Sequence, residues 1–354
     1  MRALLVGGGG FIGKHLVAKL QTVFDSIVVV DSFCFPSHTF STASKEYFQK
    51  FSPKKVIVCE SDCASTDNYV EYIKACDIIY LMAADTGTGR SFDEPQTCLN
   101  ENVSKLSIVL TAIRLHNPSC KVVFFSSRAV YGHGVYYCEK CKAECRISRQ
   151  PAVGRFEPRC VICSDSVRFI PMHESHTLAP ISVYGVSKLA GERLVDILLP
   201  DNEVVIIRPQ NVYGSYQDIH NPYTGLITWF CNAIYREQGV EVYENNFITR
   251  DFIHVLDLVE MIFKISICDK WDSRSVFNIG SGTSSTLLDV AHSIALLLNS
   301  RSEISVSPKF RVGDVLNATA DMSSFNSRYG RHVCASFSDG FQEFLNWYRG
   351  LNAH

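Results

Sequence analysis

Tyr184 and Lys188 stand four residues apart in Tyr184-Gly185-Val186-Ser187-Lys188, so a helix carries both on one face. A phenol serves as acid or base near neutrality only when its pKa falls, and a neighbouring ammonium favours the phenolate. Such a pair is common by chance and needs company. Upstream, the apolar run Val122–Phe125 ends in Ser126-Ser127-Arg128-Ala129-Val130-Tyr131-Gly132, where the Ser127 hydroxyl can bond the same oxygen that Tyr184 addresses. A second reactive set is sulfur. Of 14 cysteines, five crowd between Cys138 and Cys163, and four of these make Cys138-Glu139-Lys140-Cys141 and Cys160-Val161-Ile162-Cys163. Two such knuckles, 18 residues apart, match a zinc ribbon, with Lys140 and Arg159 favouring the thiolates. Cys145, His173 and His176 remain alternative ligands. Free thiols in a mobile loop and a redox pair are the competing readings. Four thiolates close the coordination shell, so such a zinc is expected to be structural, bracing a loop that leaves the chain after Ser127 and returns before Tyr184.

Gly7-Gly8-Gly9-Gly10-Phe11-Ile12-Gly13 follows the apolar run Ala3–Val6 and opens a helical stretch, Ile12–Gln21. Gly7, Gly10 and Gly13 let the backbone turn tightly and approach a pyrophosphate, whose charge then sits at the helix N-terminus. Phe11 and Ile12 lie in the same loop and are counted with it as cofactor-lining. The next apolar run ends at Asp31, placed to bond the ribose hydroxyls of an adenosine. A carboxylate there repels a 2′-phosphate, so the expected dinucleotide is NAD, not NADP.

These residues need a scaffold, and the first third of the chain supplies its pattern. Ala3–Val6, Ser26–Val30, Lys55–Val58, Asp77–Leu81 and Lys121–Phe125 are short apolar runs suited to strands buried on both faces, and Val204–Ile207 is a sixth. Helical stretches such as Asn102–Leu115 and Tyr184–Leu198 lie between them. The alternation predicts an α/β fold: a doubly wound parallel Rossmann sheet. We expect a dinucleotide-binding domain over 1–210 and a smaller mixed α/β substrate lobe over 211–354, with 250–268 returning to the first domain. From 133 to 178 the apolar periodicity vanishes, which marks a Cys-rich insert. Hydrophobic residues at 46% and charged ones at 20% are an ordinary globular mix. A net charge of −2 argues against broad attraction to nucleic acid or anionic membrane. No apolar run reaches the roughly 18 residues of a membrane span. The start is too short for a signal sequence, so a soluble, cytoplasmic protein with reduced scattered cysteines is expected.

Together the motifs resemble, in order and over nearly the whole chain, the extended short-chain dehydrogenases that epimerise, dehydrate or reduce nucleotide sugars. The resemblance implies NAD bound by the glycine loop and Asp31, with Asp62-Cys63 near the adenine. Leu81-Met82-Ala83-Ala84 resembles the cofactor-lining strand end, although the usual histidine is absent at Leu81, and Asn102 is placed with this set. Ser127, Tyr184 and Lys188 match the catalytic positions, with Lys188 lowering the pKa of Tyr184 and holding the nicotinamide ribose. Arg208-Pro209-Gln210-Asn211-Val212-Tyr213-Gly214 and Arg250-Asp251-Phe252-Ile253-His254 resemble signatures that carry substrate-phosphate contacts, and Arg311-x-Gly313-Asp314 one near the nucleoside. Thr86, Asn211, Arg250, Arg311 and Asp314 are thus the candidate substrate residues, and His254 reads as structural. The helices over Asn102–Leu115 and Tyr184–Leu198 resemble those that pair such enzymes into homodimers. A narrower likeness rests on Asp85-Thr86-Gly87-Thr88-Gly89-Arg90-Ser91, on Arg128, on the insert, and on Asn221-Pro222-Tyr223-Thr224-Gly225. It points to 4-epimerases that interconvert dTDP-L-rhamnose and dTDP-6-deoxy-L-talose. The alternatives are a net reductase or dehydrogenase of a nucleotide sugar, and a catalytically silent NAD-binding regulator. A 4,6-dehydratase is disfavoured, since its Asp-Glu pair is replaced by Arg128-Ala129.

Overall fold

The structure, a computed structural model, describes residues 1–34, 41–219, 225–271, 273–311 and 313–351. Short aliphatic runs form seven strands: β1 (Arg2–Val6), β2 (Ser26–Asp31), β3 (Val56–Glu60), β4 (Ile78–Leu81), β5 (Lys121–Phe125), β6 (Glu203–Pro209) and β7 (Ser275–Ile279). Their order is β7-β6-β5-β4-β1-β2-β3, and every neighbouring pair is parallel. Strand order reverses between β1 and β4, so the crevice beyond their carboxyl ends is where such a sheet binds ligand.

Alternation along the strands buries both faces. Leu5, Val29, Tyr80, Val123 and Ile207 pack on one side with Leu16 and Val17 of helix α1 (Phe11–Leu20). Leu4, Val28, Ile79, Val122 and Ile206 pack on the other, against Leu106, Leu110 and Ile113 of α2 (Lys105–His116) and Val195 of α3 (Val183–Leu198). Each such side chain contributes about 1.5–3 kcal/mol by leaving water, which fixes the register of the loops at the strand ends. Helix α4 (Val255–Ser266) joins the first face through Val255, Leu258 and Ile262. The six expected strands are therefore joined by a seventh. Strand β7 carries the fully buried Asn278, whose side chain bonds Tyr131 and the Met172 carbonyl, and this polar residue breaks the apolar run that would have announced it. The helix expected from Asn102 begins at Lys105, after a π-helical turn over Asn100–Ser104.

A second core is built by helices Leu226–Tyr235, Leu287–Leu298 and Phe337–Leu351 around Phe230, Ile294, Phe341 and Phe344. Of the run 221–225 only Gly225 lies within the described residues. Among those residues no helix is long and apolar enough to cross a membrane.

The Cys-rich segment folds into short antiparallel strands. Val135–Cys138 pairs with Ala143–Cys145 and Arg168–Ile170, and Ile147–Gln150 pairs with Arg155–Cys160. Its two ends meet. Gly132, at φ +60, lies so close to the Ala179 carbonyl that a Cβ there would sit 1.9 Å from the oxygen. The segment thus leaves and rejoins the chain at one point, between Ser127 and Tyr184.

Candidate active site

At the carboxyl end of β1, Gly7 takes φ +83 and a Cβ on it would lie 2.3 Å from the Ala83 backbone nitrogen, so the loops after β1 and β4 can touch only with glycine here. Gly10 caps α1 without a side chain, leaving first-turn N–H groups for a ligand, and Gly13 packs against Gly8 with no room for a Cβ. Phe11 and Ile12 are partly buried at the start of that helix. Asp31 ends β2 and accepts from Gly9 N (2.9 Å) and Phe33 N (2.9 Å), which aims its carboxylate along the glycine loop. Asp62 pairs with Lys105 (2.6 Å), and the neighbouring Cys63 thiol is pushed up to about 12 by burial. Leu81 is buried at the end of β4, and Ala83 N donates to Val6 O (2.9 Å), with Ala84 next in the same loop. Asn102 uses its amide to hold Asp85 N (2.7 Å), Asp85 O (2.9 Å) and Ser187 Oγ (3.0 Å). In this geometry it fastens the loop after β4 to α3.

Ser127 follows β5, and its hydroxyl accepts from Ala129 N (3.2 Å), capping the short turn Arg128–Tyr131. Ser182 caps α3 in the same way, accepting from Gly185 N (3.0 Å), and α3 then presents Tyr184 and Lys188 towards β5. Gly185 is required there, because a Cβ would lie 2.7 Å from the Ala129 carbonyl oxygen. Lys188 is buried, donates to Phe125 O (2.9 Å), and its Nζ lies 6.0 Å from the Tyr184 ring centre. Burial brings the Lys188 ammonium down to about 8. Tyr184 differs from expectation: burial raises its pKa, and the groups acting against that are the Ser127 hydroxyl and the Arg128 guanidinium. Lys188 spends its charge on the Phe125 carbonyl and on surviving its own burial, so it is not the group that relieves the phenol in the resting protein. Ser127, Arg128, Tyr184 and Asn211 are each partly exposed and mark the candidate cleft.

Across that cleft, Arg250 is buried and donates to Asp314 Oδ1 (2.5 Å), Thr249 O (2.8 Å) and Leu316 O (3.2 Å). Two candidate substrate residues are thus paired with each other. Arg311 is exposed, with its guanidinium 5.3 Å from the Tyr243 ring centre, and Thr86 is exposed on the loop after β4. His254 bonds Glu343 (3.1 Å), in keeping with a structural role.

The four knuckle cysteines converge. Cys138, Cys141, Cys160 and Cys163 place their sulfurs within 4.8 Å of one another, with 3.4 Å between Cys138 and Cys163 and 3.9 Å between Cys141 and Cys160. These are far beyond a disulfide bond of about 2.05 Å. They bracket the roughly 3.8 Å edge of a tetrahedron with 2.3 Å zinc–sulfur bonds. The Ile162 N–H points at Cys160 Sγ (3.4 Å), the arrangement that stabilises a thiolate. Cys145, His173 and His176 stand outside the cluster.

Comparison with known proteins shows the family. Residues 3–280 match the model of the NAD dependent epimerase/dehydratase family. The chain belongs to that family. The dTDP-L-rhamnose 4-epimerase of Burkholderia thailandensis is 29% identical over 351 residues, 98% of this chain and 94% of that one. A putative UDP-glucose 4-epimerase of Methanocaldococcus jannaschii is 25% identical, with 99% of each chain covered. Among solved structures, the UDP-glucuronic acid 4-epimerase of Bacillus cereus, in complex with UDP-glucuronic acid and NAD, superimposes with a TM-score of 0.81 at 21% identity, covering 99% of this chain and all of that one.

In this epimerase/dehydratase the sequence reading missed a buried network behind the catalytic residues. Arg208, read within a phosphate-contacting signature, is instead locked to Glu192 of α3 through Nε–Oε1 (2.9 Å) and Nη2–Oε2 (2.8 Å). Ser126 donates to the same Glu192 (2.5 Å), and Arg208 also donates to Tyr131 OH (2.8 Å). The network ties β5, β6 and α3 together around Ser127 and Tyr184. Also missed was Arg149 of the insert, which binds the fully buried Glu244 and the Asp314 carbonyl (2.6 Å). Glu244, Asn245 and Asn246 hold three consecutive positive φ values, a strained turn that Arg149 helps pin. No spacing rule connects residues so far apart along the chain.

Proposed function

We propose that the chain is a nucleotide-sugar 4-epimerase that retains its NAD, and that it interconverts dTDP-L-rhamnose and dTDP-6-deoxy-L-talose. The observation that carries the reading is the meeting of Ser127, Tyr184 and Lys188 at the carboxyl end of β5, in the same parallel sheet whose β1 ends in the glycine loop. Gly7, Gly10 and the uncapped start of α1 fit a pyrophosphate, and Asp31 fits an unphosphorylated ribose. Bound NAD supplies the hydride acceptor and donor at C4. Tyr184 would have to act as the phenolate, taking the C4 hydroxyl proton as that oxygen becomes a carbonyl and returning it when the alcohol re-forms on the other face. Ser127 holds the oxygen through both steps. Lys188, rigid on the Phe125 carbonyl, holds the ribose next to the nicotinamide and keeps a positive charge beside the phenol. The acid pair of a dehydratase has no counterpart at Arg128-Ala129. The sugar itself rests on the similarity to the Burkholderia epimerase.

In this reading Cys138, Cys141, Cys160 and Cys163 hold one structural zinc, and α2 and α3 form a homodimer face, since Ile108, Leu115, Val186 and Ile197 are exposed on them. The test is a panel of dTDP-, UDP- and GDP-sugars incubated without added cofactor and followed by NMR. Conversion of dTDP-L-rhamnose to its C4 epimer supports the assignment; exclusive conversion of another sugar overturns the substrate, and no conversion of any overturns the activity.

A further inference from the structure

Arg128 follows Ser127 directly and stands out among the cleft residues. Its Nε donates to Asn211 Oδ1 (2.6 Å), and among the described residues its two terminal nitrogens have no partner. No carboxylate is paired with it. Yet the side chain is largely enclosed by protein, close enough to the like-charged Arg250 for the two to repel, with Asp314, already bonded to Arg250, the largest source of relief. Both burial and Arg250 work against its charge. An arginine keeps that charge at neutral pH regardless. A guanidinium held this way, with a planar fork of donors left over and no counter-charge, is costly in the ligand-free protein and is completed by an anion that arrives with the ligand.

We infer that Arg128 is an anion-binding residue of the substrate site, its terminal nitrogens taking two anionic oxygens of the nucleotide sugar while Asn211 fixes the plane of the fork. Two sources carry that chemistry: the phosphate attached to the sugar, and a carboxylate on the hexose. The position fits either, since Tyr184 marks the reacting end of the sugar and Arg250 with Asn211 the phosphate end. The inference rests on reading the cleft as a nucleotide-sugar site, and its readout is binding, so it does not depend on turnover.

The experiment is calorimetric titration of the NAD-loaded protein and its Arg128→Gln and Arg128→Lys variants with dTDP alone, a neutral dTDP-hexose, and UDP-glucuronate. NAD content and melting temperature are checked in parallel. Loss of a charged hydrogen-bonding fork should weaken binding roughly ten- to a hundredfold in Arg128→Gln. Arg128→Lys should lose less, because it keeps the charge without the bidentate geometry. Weakening of dTDP itself assigns the contact to the phosphate, and weakening confined to UDP-glucuronate assigns it to the carboxylate; both support the inference. Parent-like affinity for all three ligands in both variants overturns it. If the parent protein binds none of the three, the nucleotide-sugar reading falls and takes this inference with it. Should Arg128→Gln fail to fold, Arg128→Lys, which leaves the cavity's charge unchanged, carries the same comparison alone.

Discussion

Among the described residues Tyr184 holds the phenol that the geometry sets beside Ser127, and burial raises its pKa in the resting protein. Tyr184→Phe keeps the ring and removes the proton carrier, so turnover should drop by roughly a hundred- to ten-thousandfold with NAD binding intact, as single-turnover kinetics would show. Lys188 makes a second, pH-dependent prediction. Its ammonium, brought down to about 8 by burial, is charged below that pH and neutral above it. Since the charged form is the useful one, kcat/KM should turn down above about pH 8, and a profile that keeps rising to pH 10 would contradict the role. At this scale the sequence was legible wherever spacing is local: the glycine steps, the carboxylate ending β2, and the helical interval from Tyr184 to Lys188. It was illegible wherever partners are distant. Arg250, in the short strand Thr249–Arg250, bonds Asp314 in a loop 64 residues further on, and Arg208 and Glu192 meet only because β6 and α3 pack side by side.

Strands β1 to β6 were readable because burial on both faces demands unbroken aliphatic runs. The same logic hid β7, in which Asn278 is buried and satisfied by partners that only the folded chain brings near. The insert is legible in its knuckles and not in its strands, which bury little beyond Tyr136, Cys138, Phe156 and Cys160. With Met172 the only other fully buried apolar side chain described in 133–178, the proposed zinc would supply much of the ordering of the segment. Chelating the zinc, or Cys160→Ser, should therefore raise hydrogen exchange across the insert while β1 to β6 keep their protection. Through Arg149, Glu244 and Asp314 the loosening should reach Arg250, so affinity for the nucleotide sugar should fall several-fold and NAD affinity stay level. Metal-free protein with parent-like exchange and kinetics would contradict the structural role of the cluster.

On the scale of the molecule, one doubly wound sheet and a second helical core make up the fold, and the proposed function puts the dinucleotide on the first and the sugar towards the second. The exposed Ile108, Leu115, Val186 and Ile197 of α2 and α3 make an apolar face that a homodimer would cover. Ile108→Glu with Ile197→Glu should shift sedimentation from dimer to monomer, whereas a monomeric parent at micromolar concentration would dispense with the interface. The central claim is that hydride leaves and returns to the same C4 on a cofactor that never exchanges. It is tested most directly with dTDP-L-rhamnose deuterated at C4, incubated with the purified protein and no added nucleotide cofactor. The account predicts dTDP-6-deoxy-L-talose with the deuterium retained at C4 and no net NADH. Epimer that has lost the label to solvent, or product that forms only when NADH is supplied, would contradict it.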